Sequence, residues 1–311
     1  MKAKLPAISE ARSLYDALVR PIRETAQRDT LIVVRDGQLH LVPFDGLREV
    51  SGRYVAETRT VIYSPSATSF YLLTGQKRPR TRNALLAIGG VPYERSLMNR
   101  SGLSRGFNRN GFVDLPSSAD EVRIAQAAFR REKSELLLGA SATEAAFKAA
   151  SLTDYRVIHL AVHGFADSTF PDRAALVLLS DRSAGEDGFL QASEIVQLRF
   201  NADLVVLSAC DTAVGPLQGQ EGIANLSRAF LLAGARTVVS TLWQVDDSSS
   251  LFLMKRFYAH LSGNPSAASS LTAAKRDMLR TFGRKALPYQ WAGFTVEGAA
   301  ERRMSSNESL K

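Results

Sequence analysis

Arg156-Val-Ile-His-Leu-Ala-Val-His163 and Asp203-Leu-Val-Val-Leu-Ser-Ala-Cys210 decide the reading of this chain. Each is a mostly apolar run ending in a reactive side chain. Runs of this kind predict strands buried on both faces, as in a parallel sheet covered by helices. In open sheets of that type, ligands lie beyond the carboxyl ends of the strands. His163, with Gly164 directly after it, and Cys210, the only cysteine, are therefore predicted at one edge. A thiol attacks as its thiolate, and an imidazole can take that proton and return it to a leaving amine. Glycine beside the histidine admits a close backbone approach. The amides of Gly164 and Cys210 are the candidates for stabilising an oxyanion. Taken singly, a strand-end cysteine is a small core residue and a strand-end histidine a structural one. As a pair, 47 residues apart and with glycine after the histidine, they form a constellation for thiol chemistry.

Composition agrees with a globular protein. The 311 residues are 45% hydrophobic, enough for a sizeable core, and carry 39 basic against 31 acidic side chains, a net charge of +8. No stretch approaches the roughly 20 apolar residues that span a bilayer. Met1-Lys-Ala-Lys-Leu-Pro-Ala-Ile8 lacks the apolar centre of a signal peptide, so a cytoplasmic location is expected. A lone cysteine forms no internal disulfide, and one cysteine with four histidines argues against a structural zinc site. No metal or other cofactor is expected.

The positive charge is concentrated. Between Lys77 and Arg109 there are eight basic residues and one acid, Glu94. Such a segment suits nucleic acid or an acidic protein surface, or is simply a solvated loop. No aromatic ladder interleaves the arginines, which argues against a single-strand stacking platform.

The predicted elements begin with a helix over 9–27, its buried face at Leu14, Leu18 and Ile22 and a kink at Pro21. Leu31–Val34 and Leu39–Val42 flank Asp36-Gly37 and predict a β-hairpin. A strand over 54–63 and a short helix at about 66–74 follow. From 84 onward strands and helices alternate, the pattern of an α/β domain with a mainly parallel sheet. Gly89-Gly90 has neither dinucleotide nor P-loop spacing and reads as a tight turn. The tail from Arg302 is polar and expected to be disordered.

Several blocks resemble the CHAT family of caspase-like cysteine peptidases, relatives of separase. They are His163-Gly164, Leu207-Ser-Ala-Cys-Asp-Thr212, Gly219-Gln-Glu-Gly222, Ala229–Ala235 and Thr241-Leu-Trp-Gln-Val-Asp-Asp247. Leu41-Val-Pro-Phe-Asp45, Tyr63-Ser-Pro-Ser66 and Tyr289-Gln-Trp-Ala-Gly-Phe294 complete the resemblance, which runs over about 13–297. It implies a caspase–haemoglobinase-like α/β fold, a mainly parallel sheet flanked by helices, with a small α+β N-terminal lobe. The expected domains are 1–82 for the lobe, 83–298 for the peptidase domain and 299–311 for the tail. The resemblance makes His163 the general acid/base and Cys210 the nucleophile of a cytoplasmic endopeptidase with a protein substrate. Ser-Ala-Cys-Asp departs from the caspase nucleophile block, so cleavage after aspartate does not follow. By similarity to separase, Asp246 or Asp247 would receive a basic P1 side chain, and helix capping is the competing role. Trp243 walls that pocket or is a buried aromatic. Asp211 orients backbone or binds substrate, and Glu221 caps or orients the helix after the nucleophile. Many family members carry TPR repeats, and none occur here, which points to a separate regulatory partner or a longer parent protein. The alternative function is a catalytically silent scaffold or signalling module.

Overall fold

The computed structural model describes residues 8–93, 112–165, 174–208, 220–263, 266–301 and 304. Its main sheet has eight strands: β1 Thr30–Val34, β2 Thr60–Ser64, β3 Asn83–Gly89, β4 Ser134–Leu138, β5 Tyr155–Leu160, β9 Leu204–Leu207, β10 Thr237–Thr241 and β11 Phe294–Gly298. Their order is β1-β2-β11-β10-β9-β5-β3-β4. Three short strands, β6 His163–Phe165, β7 Ala175–Val177 and β8 Phe189–Gln191, form a separate antiparallel sheet. The helices are α1 Ile8–Leu18, α2 Val55–Thr58, α3 Ala67–Gly75, α4 Ser118–Ala128, α5 Glu144–Ala149, α6 Ala192–Ile195, α7 Gln220–Leu232, α8 Asp247–Leu261 and α9 Ala267–Phe282.

β10, β9, β5, β3 and β4 run parallel. β11 is antiparallel to β10 yet parallel to β2, so β1, β2 and β11 point the other way. The central strands read as continuous apolar runs because both faces are covered. Leu85, Ala87, Val157, Leu204 and Val206 enter one core with α4, α8 and α9. Leu86, Ile88, Ile158, Leu160, Val205 and Leu207 enter the opposite core with α5, α6 and α7. Each leucine, isoleucine or valine so buried contributes about 1.5–3 kcal/mol.

The N-terminal strands extend this sheet and have their own cluster, in which Tyr15, Val19, Leu31, Phe44, Val61 and Tyr63 meet. A buried ion pair ties them to the rest: Lys275 Nζ of α9 lies 2.7 Å from Asp45 Oδ1, both side chains at 2% exposure or less. Asp45 belongs to the Leu41–Asp45 block and Tyr63 to the Tyr63–Ser66 block, whose places in the fold are thereby explained. The Tyr63 hydroxyl accepts from the Phe44 backbone N–H at 2.9 Å, and the Arg35 guanidinium sits 4.1 Å above the Tyr63 ring.

Four local expectations are corrected. α1 ends at Leu18, before Pro21 rather than kinking at it, and a 3-10 turn follows at Arg23–Gln27. With the helix cut short, Tyr15 and Val19 face the core while Leu14 and Ile22 are exposed. Leu31–Val34 and Leu39–Val42 do not form a hairpin. Gly37 adopts φ +50°, Asp36 Oδ1 accepts its N–H, and a 3-10 helix Gly37–Leu41 forms, while β1 pairs with β2 instead. Within 54–63 the Tyr54 N–H donates to Glu57 Oε2 at 2.7 Å, opening α2, and the strand starts only at Thr60. Finally, the run through Val162 is not one strand. β5 stops at Leu160 because its partners β3 and β9 end at Gly89 and Leu207, and His163 starts a strand of the second sheet. Ala161 and Val162 stay apolar because they remain in the cores, not because they extend the ladder.

The expected tight turn at Gly89-Gly90 is present. Gly90 has φ +62°, its N–H donates to Ser118 Oγ, and a Cβ on Gly89 would lie 2.7 Å from the Ser118 carbonyl oxygen. Packing also continues past residue 298, where the tail was expected: Ala299, Ala300 and Met304 are buried.

α8 and α9 are clasped by Asp277, whose Oδ2 accepts from Arg256 Nε at 2.5 Å and His260 Nε2 at 2.8 Å, with Arg280 on Oδ1. Burial pushes the Asp277 carboxyl up, but these three donors outweigh it and hold it below the ordinary value. A depressed folded-state pKa gives stability that is present above the unfolded value and lost as pH falls through the folded one. Asp277→Asn is therefore expected to lower Tm at pH 7, with the gap to wild type shrinking below about pH 4. Thermal unfolding of both proteins at pH 7 and pH 3 checks this, and an undiminished gap at pH 3 would count against it.

Candidate active site

The five parallel strands deliver the ends of β3, β5, β9 and β10 to one edge of the sheet, and the candidate residues gather there. β5 and β9 are direct neighbours, with Leu160 opposite Leu207 and the Ser208 N–H donating to the Leu160 carbonyl at 3.1 Å. His163 lies beyond the end of β5, and Cys210 follows β9 in sequence.

His163 is only 2% exposed. Its backbone N–H donates to the Tyr93 hydroxyl at 2.9 Å, and that hydroxyl donates to the Val177 carbonyl at 2.9 Å. The ring lies 4.6 Å from the Tyr93 ring and 5.2 Å from that of Phe112. Imidazole Nε2 is 2.6 Å from the Val113 carbonyl oxygen. A carbonyl can only accept, so neutral His163 carries its proton on Nε2 and keeps the lone pair on Nδ1. Nδ1 is buried and has no hydrogen-bond partner among the described residues. Burial lowers the His163 pKa from 6.5, against the opposing pull of the Val113 carbonyl and the Asp114 carboxylate. At neutral pH the ring is thus an uncharged base with Nδ1 as its acceptor.

Gly164 sits in β6 opposite Leu176 of β7. Cys210 and Asp211 lie outside the described residues, and for Glu221 only its place in α7 is described. After β10, Trp243 is half-buried. Its Nε1 donates to the Tyr289 carbonyl at 2.8 Å, and Gly293 backs its ring so closely that a Cβ there would sit 2.7 Å from Cε2. Asp246 is exposed and caps α8, its Oδ1 accepting from the Ser249 N–H at 2.9 Å and Ser248 Oγ at 2.7 Å. Partial burial raises its carboxyl, and these serine bonds more than offset that, holding it below the usual value. Asp247 turns elsewhere: its Oδ2 accepts from the Ser117 backbone N–H at 3.1 Å. The structure therefore places His163, Trp243, Asp246 and Asp247 along one sheet edge.

Three participants escaped the sequence reading: Tyr93, Phe112 and the Val113 carbonyl. Tyr93 and the Phe112-Val113 pair stand next to polar, glycine or proline neighbours in the sequence, and a main-chain oxygen has no signature of its own. The other internal histidine is a different matter. His159 Nδ1 lies 2.7 Å from the Tyr258 hydroxyl and Nε2 3.1 Å from Glu121 Oε1, in the core on the α4/α8 face. The carboxylates of Glu144, Glu186 and Glu194 converge closely enough for a metal, but Lys148 Nζ sits among them at 2.7–2.8 Å. The expected basic surface is partly withdrawn as well. Arg78 donates to the carbonyls of Ala202 and Gly234 at the end of α7, and burial with Arg236 nearby lowers its pKa to about 10.

Residues 9–299 match the CHAT domain family model. The chain is 26% identical to mouse tetratricopeptide repeat protein 28 and 25% identical to the human protein, with 96% of the chain aligned in each case. It spans only 14% of the mouse relative's length and 13% of the human one's. Among solved structures, separase in the Saccharomyces cerevisiae separase–securin complex superposes with a TM-score of 0.53 and 13% identity, covering 86% of this chain and 15% of that one. The Arg-specific cysteine proteinase gingipain R superposes with a TM-score of 0.51 and 11% identity, covering 79% and 55%. These likenesses carry the fold: a mainly parallel sheet flanked by helices, of the caspase-like kind. With the family model matching nearly its whole length, the chain belongs to the CHAT domain family.

Proposed function

We propose that the protein is a cysteine endopeptidase with a His163–Cys210 dyad. The observation that carries this reading is the neutral, buried imidazole at the sheet edge, its tautomer fixed by Val113 and Nδ1 left as the acceptor. In sequence, Cys210 follows Leu207 by the same offset as His163 follows Leu160, and those two residues are paired. In the reaction, Nδ1 takes the Cys210 proton and the thiolate attacks the scissile carbonyl carbon. The amides of Gly164 and Cys210 receive the oxyanion, and the imidazolium returns its proton to the departing amine. Water, deprotonated by the same nitrogen, then hydrolyses the thioester and frees the thiol.

For the P1 side chain we assign Asp246 with Trp243 as the wall and Asp211 as a further contact. The Ser249 N–H and Ser248 Oγ both bond to Oδ1 and the side chain is exposed, so the carboxylate can meet an arginine or lysine while it still caps the helix. The substrate is a protein met in the cytoplasm. Because the mouse and human relatives are tetratricopeptide repeat proteins, a TPR-containing regulator is the assigned partner.

Cleavage of a diverse peptide library tests the reading, with basic P1 expected to dominate. The pH profile tests the base. Neutral imidazole is lost as pH falls through its pKa, and burial depresses that pKa, so the acid limb of kcat/KM is expected below pH 6.5. A limb above that value, with full activity elsewhere, would show that His163 does not titrate as the catalytic base.

The 2% exposure of His163 favours a second reading, a partner-binding module that cuts nothing. Alkylation separates the two: a catalytic Cys210 reacts much faster than a model thiol near neutral pH, and a core cysteine does not react.

A further inference from the structure

Asp247 stands where its family block suggested a substrate contact, yet its carboxylate is engaged with a different part of the chain. Oδ2 accepts the Ser117 N–H, the residue before α4, while Asp247 itself is the first residue of α8. Ser117 makes no capping bond with its own side chain, so this backbone donor depends on the carboxylate of the adjacent helix. α4 and α8 pack in the same core, and one negative charge lies against both N-termini, where the helix dipoles favour it.

The consequence lies four residues upstream. Among the attachments of the segment 112–117 are the Val113 carbonyl to His163 Nε2, the Leu115 carbonyl to the Ser118 N–H and to Ser118 Oγ at 2.7 Å, the Ser117 carbonyl to the Glu121 N–H, and the Ser117 N–H to Asp247. The Phe112 ring lies against the imidazole at its other end. This segment is what holds the histidine in its Nε2–H form, and Asp247 pins its helical end.

We infer that Asp247 is a positioning residue for His163, acting through Ser117 and the Val113 carbonyl, and that recognition of a basic P1 side chain falls to Asp246 instead. This rests on the dyad reading and deepens it. An acid between the two helices clamps the loop, the loop's carbonyl selects the tautomer, and the tautomer leaves Nδ1 free to accept the thiol proton. Loosening the clamp lets the ring lose its Val113 partner and the nearby Asp114 charge, both of which hold its pKa up. Among the described residues, Tyr93 and Asp114 are the titratable groups that act on the ring.

The test compares Asp247→Ala and Asp247→Asn with wild type, each checked for an unchanged fold by thermal unfolding. Asparagine still offers an oxygen to the Ser117 N–H, and alanine does not. Asp247→Ala is expected to lower kcat by about 10- to 100-fold, the scale of a small misplacement of a reacting group. KM should stay within about threefold, the acid limb should move to lower pH, and Asp247→Asn should recover most of the loss. Should the alanine variant unfold, Asp247→Ser takes its place: Asp246 still caps α8, and the serine hydroxyl is too short for Ser117. Ring nitrogen NMR supplies a readout that needs no turnover: His163 should show protonated Nε2 in wild type and Asp247→Asn, and a mixture of tautomers in Asp247→Ala. An unchanged His163 tautomer in Asp247→Ala, or a KM increase confined to basic-P1 peptides, would overturn the inference. If wild type cleaves nothing, the peptidase reading fails, and the tautomer result still decides the role of Asp247.

Discussion

Cys210→Ala is expected to leave no measurable peptide cleavage, and His163→Ala to reduce it by at least about 10³-fold. The two losses have different origins. Without the sulfur no acyl-enzyme forms, whereas without the imidazole the thiol keeps its proton and the leaving amine gets none. Both groups act in the same step, so the double variant should be no worse than Cys210→Ala alone. His163 is also a packing residue, wedged against Tyr93 and Phe112 with its main-chain N–H on the Tyr93 hydroxyl. Its alanine variant is therefore expected to lose some stability, and activity has to be measured well below its melting temperature. Cys210→Ala removes a single sulfur atom and gives the cleaner comparison with wild type. Library cleavage by purified wild type and both variants, with circular dichroism on each, makes the measurement. Wild-type rates in Cys210→Ala would falsify the dyad.

The largest effect on stability is expected at the opposite end of the sheet. Lys275→Ala should cost about 3–5 kcal/mol, the usual result of removing one partner of a buried ion pair. Lys275 and Asp45 touch at 2.7 Å with almost no solvent, and burial lowers the lysine pKa while the Asp45 charge holds it up. Once the ammonium is gone, Asp45 is an uncompensated buried charge whose hydrogen-bond partner among the described side chains is the Tyr63 hydroxyl, 3.4 Å away. Replacing both, as Asp45→Leu with Lys275→Met, should recover most of the loss, because a fully apolar pair has no charge to desolvate. Urea unfolding of the two single variants and the double variant gives the three numbers needed. A single substitution costing under about 1 kcal/mol would mean that water reaches the pair.

The five parallel strands and their order of use were legible because burial on both faces writes itself as apolar runs, as in Val157–Leu160 and Leu204–Leu207. The position of His163 followed from the same pattern. What the runs do not record is where a hydrogen-bonded ladder stops. Ala161 and Val162 are as apolar as the strand before them, and only the ends of β3 and β9 show that β5 is over. The Asp36-Gly37 pair misled for a related reason: it fits a hairpin turn and a 3-10 helix start equally well, and the choice belongs to β2, about two dozen residues later in sequence. Direction was invisible too, since nothing in Phe294–Gly298 announces an antiparallel partner for β10. At the site, the apolar run pointed to His163 but not to the Tyr93 and Phe112 rings or the Val113 carbonyl that surround it. The carbonyl of Val113 carries as much of the chemistry as any named acid, yet any residue would supply it. Asp247 was found for a role as a substrate contact, while its geometry points to the Ser117 amide.

The place of β11 bears on how the molecule comes into being. β11 lies between β2 and β10 in the sheet, so the strand ladder joins two strands made early to a block made in the middle only through a strand made late. During synthesis, domains fold as the chain emerges, and unpaired strand edges are the surfaces that invite wrong partners. Until residues 294–298 have left the ribosome, β2 and β10 each present an open edge to the other chains of the cell. A chaperone holding the nascent protein would therefore be needed longest at these two edges, and a ribosome stalled before residue 294 would release a sheet in two unjoined parts.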